Sequence, residues 1–261
     1  MRLNAKTAIS TSKVLLVPYS SWHVPRYHEW MKDEEIQAAT ASEPLTLEEE
    51  YAMQRSWRQD ADKLTFIICL PVIRSQTQPQ SQFQTEGQER LGLRLNEGDD
   101  APGQMLGDIN LFLRVEDEDE DEDGPSSPEI IGEMELMIAE RANQRKGHGR
   151  AALLAFLRYV LEHQGEIVGE FVRGSESAGA TLQGRTDWRV GALSVKIGKE
   201  NGRSLALFES VGFCKVSEEP SYFGEFELRR MRRELSRESV EEAMARAGVE
   251  GYTELSYERT E

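Results

Sequence analysis

The sequence predicts a single α/β domain, a mixed sheet with helices on both faces, broken by insertions that do not pack. Three observations carry this expectation. Apolar runs of strand length alternate with stretches of helical period in the order β-α-α-β-β-β-α-β-α-β-β. The 38% apolar and 30% charged content of the 261 residues suits a globular chain with a sizeable core. Three stretches, about 72–103, 114–129 and 165–192, lack a sustained apolar pattern, as does a charged tail over 233–261 apart from a weakly helical pattern through Ser239 to Ala247. The packed domain is therefore expected over residues 12–232, as one unit with three flexible insertions.

Taken in order, Lys13 to Tyr19 reads as a strand on Val14, Leu15, Leu16 and Val17. Ser20 or Ser21 can cap a helix in which Trp22, Tyr27, Trp30 and Met31 recur near helical spacing, and core packing is their expected use. Thr46, with Glu49 three residues on, forms a capping box that opens a second helix. Lys63 to Leu70 is a strand ended by Pro71, and Met105–Leu113 and Ile130–Ala139 are two more strands, joined as a hairpin. Between them lie eight consecutive acidic residues, Glu116 to Asp123, which repel one another and belong in solvent. Gln76, Gln78, Gln80, Gln82 and Gln84 mark the first insertion as low in complexity. Gly149 to His163 is a helix with Leu153, Leu154, Leu157, Val160 and Leu161 on one face. Leu193–Ile197 is a strand, Arg203–Ser210 a short helix, and Phe213–Val216 and Tyr222–Leu228 the last strands.

Charge and composition exclude several functions. A net charge of −16 and a pI near 4.8 oppose a whole-surface grip on nucleic acid or anionic lipid. Met1 to Asn4 does not open a signal peptide, and the longest apolar run, Ala151–Leu157, is too short to cross a bilayer, so a cytoplasmic protein is expected. Cys69 and Cys214 have no CxxC spacing, and His23, His28, His148 and His163 no HExxH pattern, so no metal is expected.

The chemistry concentrates in Gln144-Arg145-Lys146-Gly147-His148-Gly149-Arg150, between a long strand and a long helix. Glycines let a backbone approach phosphate closely, and the free N–H groups at a helix start favour an anion. Arg145, Lys146, His148 and Arg150 add cationic or ionisable side chains in an otherwise acidic chain. The loop is not a P-loop, since GxxxxGK[ST] is absent. Gly147 to Ala152 matches GxGxxA, with Glu170 about 20 residues on, but too little chain follows for a series of βαβ units.

Gln144 to Gly149 resembles the Q/R-x-x-G-x-G/A loop of the GNAT superfamily of acyl-CoA-dependent N-acetyltransferases. Val195 to Asn201 and Ser204 to Phe213 resemble that family's strand, Asn-containing turn, short helix and closing Gly-Phe. Within it the chain is similar to the N-acetyltransferase 9-like branch, through Val17–Tyr19, His23–Met31, Ala41–Met53, Gly107–Leu113 and Glu133–Glu140. The resemblance implies a mostly antiparallel central sheet and direct transfer of acetyl from acetyl-CoA to an amine, without a metal. Backbone N–H groups from Arg145 to Arg150 would hold the pyrophosphate, and Gln144 opens that loop. Met137 and Ile138 would lie along the pantetheine arm, one N–H polarising the thioester carbonyl. Asn201 and Ser204 match further cofactor contacts. The branch points to a protein amine as acceptor, with tubulin as a target. A module that binds acetyl-CoA or microtubules without catalysis is the alternative.

An α-amine titrates near 8 and a lysine near 10.4, so an N-terminal acceptor demands less of a base. Period-two alternation puts Ile131, Glu133, Glu135, Met137 and Ala139 on one face of their strand and Met134, Leu136 and Ile138 on the other. Glu133 is the first choice of base and Glu135 the second. Many family members carry, in the short helix before the Gly-Phe, a tyrosine that protonates the departing thiolate. This chain has Phe208 there, so that role is vacant.

Overall fold

The computed structural model describes residues 1–72, 95–116, 128–181 and 189–259. The glutamine-rich repeat and the acidic run beyond Glu116 lie outside the described residues. Strands β1 (Thr7–Ser10) and β2 (Leu15–Pro18) are followed by helices α1 (Val24–Trp30), α2 (Glu34–Thr40) and α3 (Leu47–Gln59). Then come β3 (Lys63–Cys69), β4 (Met105–Glu116), β5 (Glu129–Ile138), α4 (His148–Glu162), α5 (Gln164–Gly174) and α6 (Glu176–Thr181). The chain continues through β6 (Val190–Gly198), α7 (Gly202–Glu209), β7 (Cys214–Lys215), β8 (Glu225–Met231), α8 (Arg237–Arg246) and β9 (Thr253–Ser256).

The strands of the described residues form one nine-stranded sheet in the order β7-β8-β6-β5-β4-β3-β2-β1-β9. Every neighbouring pair is antiparallel except β5 and β6, which run parallel. The β4–β5 hairpin is in register from Glu116↔Glu129 to Gly107↔Ile138. Gly107 is required there, since a Cβ would sit 1.8 Å from the Met137 carbonyl oxygen.

The two faces of the sheet are covered differently. On one, α4 lays Ala151 to Leu157, Tyr159 and Val160 against Leu64, Phe66, Ile68, Ile109, Leu111 and Met134. That long apolar stripe is what holds the 15-residue helix in place, since a helix of this length is marginal in water even when rich in Ala and Leu, and burial of one face decides. On the other, Tyr27, Trp30 and Met31 of α1 and its exit pack against Val17, Ile67, Cys69 and Met105. The core use of the α1 aromatics is as the spacing suggests: Tyr27 and Trp30 are buried. The Thr46–Glu49 capping box forms as read, Thr46 Oγ1 accepting from Glu49 N and Glu49 Oε2 accepting from Thr46 N.

Two stretches read as loose are folded. Within 165–192, α5 buries Ile167, Val168 and Phe171 against the core. The tail supplies α8, with Val240 and Met244 buried, and β9, which pairs with β1. The sheet thus extends beyond 12–232 at both ends, because β1 and β9 would each be an unpaired edge without the other.

Candidate active site

The parallel pairing of β5 with β6 lasts only from Ile130↔Val190 to Glu133↔Ser194. Beyond it, β5 stays with β4 as far as Ile138, while β6 stays with β8 as far as Gly198↔Glu225. The strands therefore diverge and leave a wedge along Met134–Ile138. Ala139 N donates to Leu106 O at 2.9 Å, on the β4 side, so the N–H and C=O of Ile138 point the other way, into the wedge. Gln144 Nε2 donates to that Ile138 carbonyl at 2.9 Å and fixes the loop to the strand end.

The loop then turns through two left-handed residues, Arg145 (φ 63°) and Gly147 (φ 86°), and enters α4. The first intrahelical bond is Ala151 N to Gly147 O, so the N–H groups of His148, Gly149 and Arg150 are free of helical partners at the positive end of the helix dipole. Space around Gly147 is open: a Cβ there would touch nothing within 4 Å. Arg145, Lys146 and Arg150 are exposed around it. His148 Nδ1 lies 3.3 Å from Lys13 O, an acceptor, so this nitrogen carries the proton. Arg150 donates to Ser210 Oγ at 3.1 Å. A Cβ at Gly149 would rest on Leu136, Ile138 and Leu207, so α7 flanks the start of α4 across the wedge. Asn201 caps α7, its Oδ1 accepting from Ser204 N at 3.2 Å. A donor-rich cradle beside an unpaired strand edge fits a pyrophosphate followed by an amide-bearing arm, as in acetyl-CoA.

The α1-side face of the same strands is acidic. Register rows bring Thr65, Asn110 and Glu135 side by side, and Ile67, Asp108 and Met137 next to them. Asp108 is buried, and desolvation pushes its carboxyl up to about 6 despite hydrogen bonds from Asn110 Nδ2 at 2.7 Å and Tyr27 Oη at 3.4 Å. Glu135 is pushed up to about 7 by desolvation first, then by the charges of Asp108 and Glu133, against the pull of Lys196. Glu135 is exposed on this face, and it makes no hydrogen bond or ion pair among the described residues. Asn110 Oδ1 and Thr65 Oγ1 are buried without a partner in the same row. Carboxylates and lone acceptor oxygens in one row suit a donor group such as an amine.

The two sequence-derived carboxylates are not equivalent. Glu133 Oε2 accepts from Lys196 Nζ at 3.0 Å and lies 3.6 Å from Arg114, so it is held in an ion pair. Of the two, Glu135 is the carboxylate without an ionic partner among the described residues. Backbone N–H groups alternate between the two edges of a strand, so with Ile138 turned to the wedge the Met137 N–H points to β4, and within the pair only Ile138 offers its N–H there. Phe208 is buried edge-to-face on Phe213, ring centroids 5.2 Å apart, and faces no cleft. The sequence reading missed Asp108 and Asn110; the signal was there, since period two in Gly107-Asp108-Ile109-Asn110 sets two polar residues on one face of an apolar strand. Among the described residues no group of His, Cys, Asp and Glu is placed to hold a metal, and no helix is long and apolar enough to cross a membrane.

Residues 13–214 match the acetyltransferase (GNAT) domain family. The chain is 41% identical to an alpha/beta-tubulin-N-acetyltransferase 9 of Homo sapiens, over 88% of this chain and 85% of the other. It is 37% identical to an N-acetyltransferase 9-like protein of Schizosaccharomyces pombe, over 89% of this chain and 99% of the other. Among solved structures, spermidine N-acetyltransferase from Vibrio cholerae in complex with CoA and spermine has a TM-score of 0.52 at 12% identity, covering 86% and 98% of the two chains. A GCN5-related N-acetyltransferase from Brucella melitensis has a TM-score of 0.53 at 13% identity, covering 92% and 85%. With the wedge, the glycine loop and these relatives together, the chain belongs to the GNAT acetyltransferases, in the N-acetyltransferase 9-like branch.

Proposed function

We propose that this N-acetyltransferase moves acetyl from acetyl-CoA to the N-terminal α-amine of a protein in the cytoplasm, with tubulin as the target its relatives suggest. The observation that carries the reading is Glu135: a free carboxylate poised near pH 7 on the acceptor side of the strand whose far edge lines the cofactor wedge. A base of that strength is matched to an α-amine near pH 8 far better than to a lysine near 10.4.

Acetyl-CoA supplies the activated acetyl group and a thiolate leaving group. The free N–H groups of His148, Gly149 and Arg150, with Arg145 and Lys146, would hold its pyrophosphate, and the Ile138 N–H would meet its arm along the wedge. Gln144 braces that strand end, and Asn201 and Ser204 shape the start of α7 on the opposite wall. On the other face Asp108 and Asn110 would receive the acceptor's ammonium, and Glu135 would take the proton that leaves it. Glu133 holds Lys196 and Arg114 in ion pairs, and desolvation with the charges of Asp108 and Glu133 outweighs the pull of Lys196 on Glu135. A thiolate with a pKa near 8.5 departs without a dedicated acid, so Phe208 does not forbid turnover.

The test is mass spectrometry of synthetic peptides incubated with enzyme and acetyl-CoA. One peptide copies a tubulin N-terminus with a free α-amine; a second has that amine blocked and keeps an internal lysine. Acetylation of the first and not the second is expected. Preference for the lysine would remove the N-terminal assignment, and reaction of neither would remove tubulin as the target.

A further inference from the structure

One buried carboxylate outside the catalytic cleft ties three distant segments together. Asp100, on the approach to β4, is 2% exposed. It accepts from Trp22 Nε1 at 3.1 Å and His23 Nε2 at 3.3 Å, from Tyr257 Oη at 2.5 Å, and from Arg259 at 2.5 Å. Three of these donors converge on Oδ2 and Arg259 takes Oδ1, so the carboxylate's charge is committed to its partners and it is no free base. His23 Nδ1 accepts from Ser20 N at 3.0 Å, which requires the proton on Nε2, where Asp100 receives it. Burial pushes Asp100 up, but hydrogen bonds from His23, Tyr257 and Trp22 hold it below the usual carboxylate range.

The donors come from the two ends of the chain. Trp22 and His23 form the turn that opens α1, and His23 is its N-cap residue. Tyr257 and Arg259 follow β9, whose pairing with β1 (Thr7↔Ser256 to Ser10↔Thr253) delivers them there, with Tyr257 N donating to Lys6 O at 2.9 Å. The Arg259 guanidinium also lies 4.5 Å over the Trp22 ring. From that anchored end α1 reaches the cleft: Tyr27 donates to Asp108, and Arg26 and Trp30 engage Glu140 at the end of β5.

We propose that the segment Thr253–Arg259 is a strap that fixes the angle of α1 over the acceptor cleft, with Arg259 a positioning residue that acts through Asp100 on Trp22 and His23. The inference rests on the reading that the α1 face receives the acceptor. It implies that acceptor binding, and not acetyl-CoA binding, answers to the C-terminal segment, because the α4 cradle lies on the far face of the sheet.

The experiment compares full-length wild type with Arg259→Ala and Arg259→Lys. Hydrogen exchange is read at amides 24–30 and 151–160, together with acetyl-CoA affinity by titration and acceptor KM and kcat with the tubulin N-terminal peptide. In Arg259→Ala, α1 amides should exchange about tenfold faster with α4 amides unchanged. Acceptor KM should rise about five- to tenfold, with kcat within about twofold and acetyl-CoA affinity as in wild type. Arg259→Lys keeps the charge toward Asp100 and should recover most of both effects. Unchanged α1 exchange, or equal acceleration in α1 and α4, would overturn the strap. If wild type does not acetylate the peptide, the tubulin reading fails on its own, and the exchange data still decide the strap.

Discussion

The two faces of the central sheet solve different problems. The α4 face is apolar across its centre, and the polar groups it offers to the wedge are the helix-start amides of His148 to Arg150, presented there by the strand end and loop. The α1 face mixes a smaller apolar cluster with Asp108, Asn110, Glu135 and Tyr27, several of them buried. A donor cradle needs only backbone amides and a place to put them, so a glycine turn and a helix suffice. An acceptor cleft needs carboxylates with shifted pKa values, and those shifts require burial and neighbouring charge from several strands at once. The difference teaches that the donor side is built from local sequence and the acceptor side from tertiary register.

The largest effect is expected on the donor face. Gly147→Glu sets a carboxylate in open space at the α4 start and forces a non-glycine residue to φ 86°. The strain costs about 1 kcal/mol, so the protein still folds. Acetyl-CoA affinity, read by titration calorimetry, should fall at least about 100-fold as like charges meet. Retained affinity would mean that the loop is not the phosphate cradle.

The acceptor face should declare itself through pH. Glu135 must be ionised to act as a base, and its pKa stands at about 7 in place of 4.5. The rate constant kcat/KM should therefore fall as pH drops below about 7, a limb that an ordinary glutamate would place below pH 5. A flat profile from pH 5 to 7 would break the contrast between the faces.

Stability sharpens the same contrast with the opposite sign. Asp108 is raised from 3.8 to about 6, so between those values the folded state holds a proton that the unfolded state has released. Folding free energy should then weaken as pH climbs through that window, by on the order of 2 kcal/mol. Asp108→Asn should flatten this part of the curve, as read by denaturant unfolding at pH 4 and pH 7. An unchanged slope would show that Asp108 is not what the burial makes of it.

The smallest catalytic effect is expected at Phe208. Phe208→Tyr places a hydroxyl in packed core against Phe213, at a cost of about 1–3 kcal/mol in stability unless it finds a partner. It should leave kcat within about twofold, since the ring does not face the wedge. A large gain in kcat would place this position in the leaving-group path after all.

How much of this was legible in the sequence follows the same division. The α4 stripe, the Thr46–Glu49 box and the Gln144–Gly149 loop are periodic or contiguous, and they stand in the structure as read. Choosing Glu133 over Glu135 was not a local question. Both lie on one face of β5, and the choice turns on Lys196 in β6 and Arg114 in β4, brought together only by sheet order. Helix α5 was hidden because glycines dilute Ile167, Val168 and Phe171, whose helical spacing is present. In the tail, charge outnumbered the apolar positions: Val240 and Met244 bury where α8 packs on α4, and Leu255 and Tyr257 bury where β9 meets β1.

The central claim, that donor binding and proton removal sit on opposite faces of one strand, is tested most directly by Glu135→Gln, with acetyl-CoA affinity and acetyl-transfer rate measured on the same preparation. The account predicts acetyl-CoA affinity equal to wild type and a rate lower by about 100-fold or more. A rate within a few-fold of wild type, or a rate loss matched by an equal loss of acetyl-CoA affinity, would contradict it.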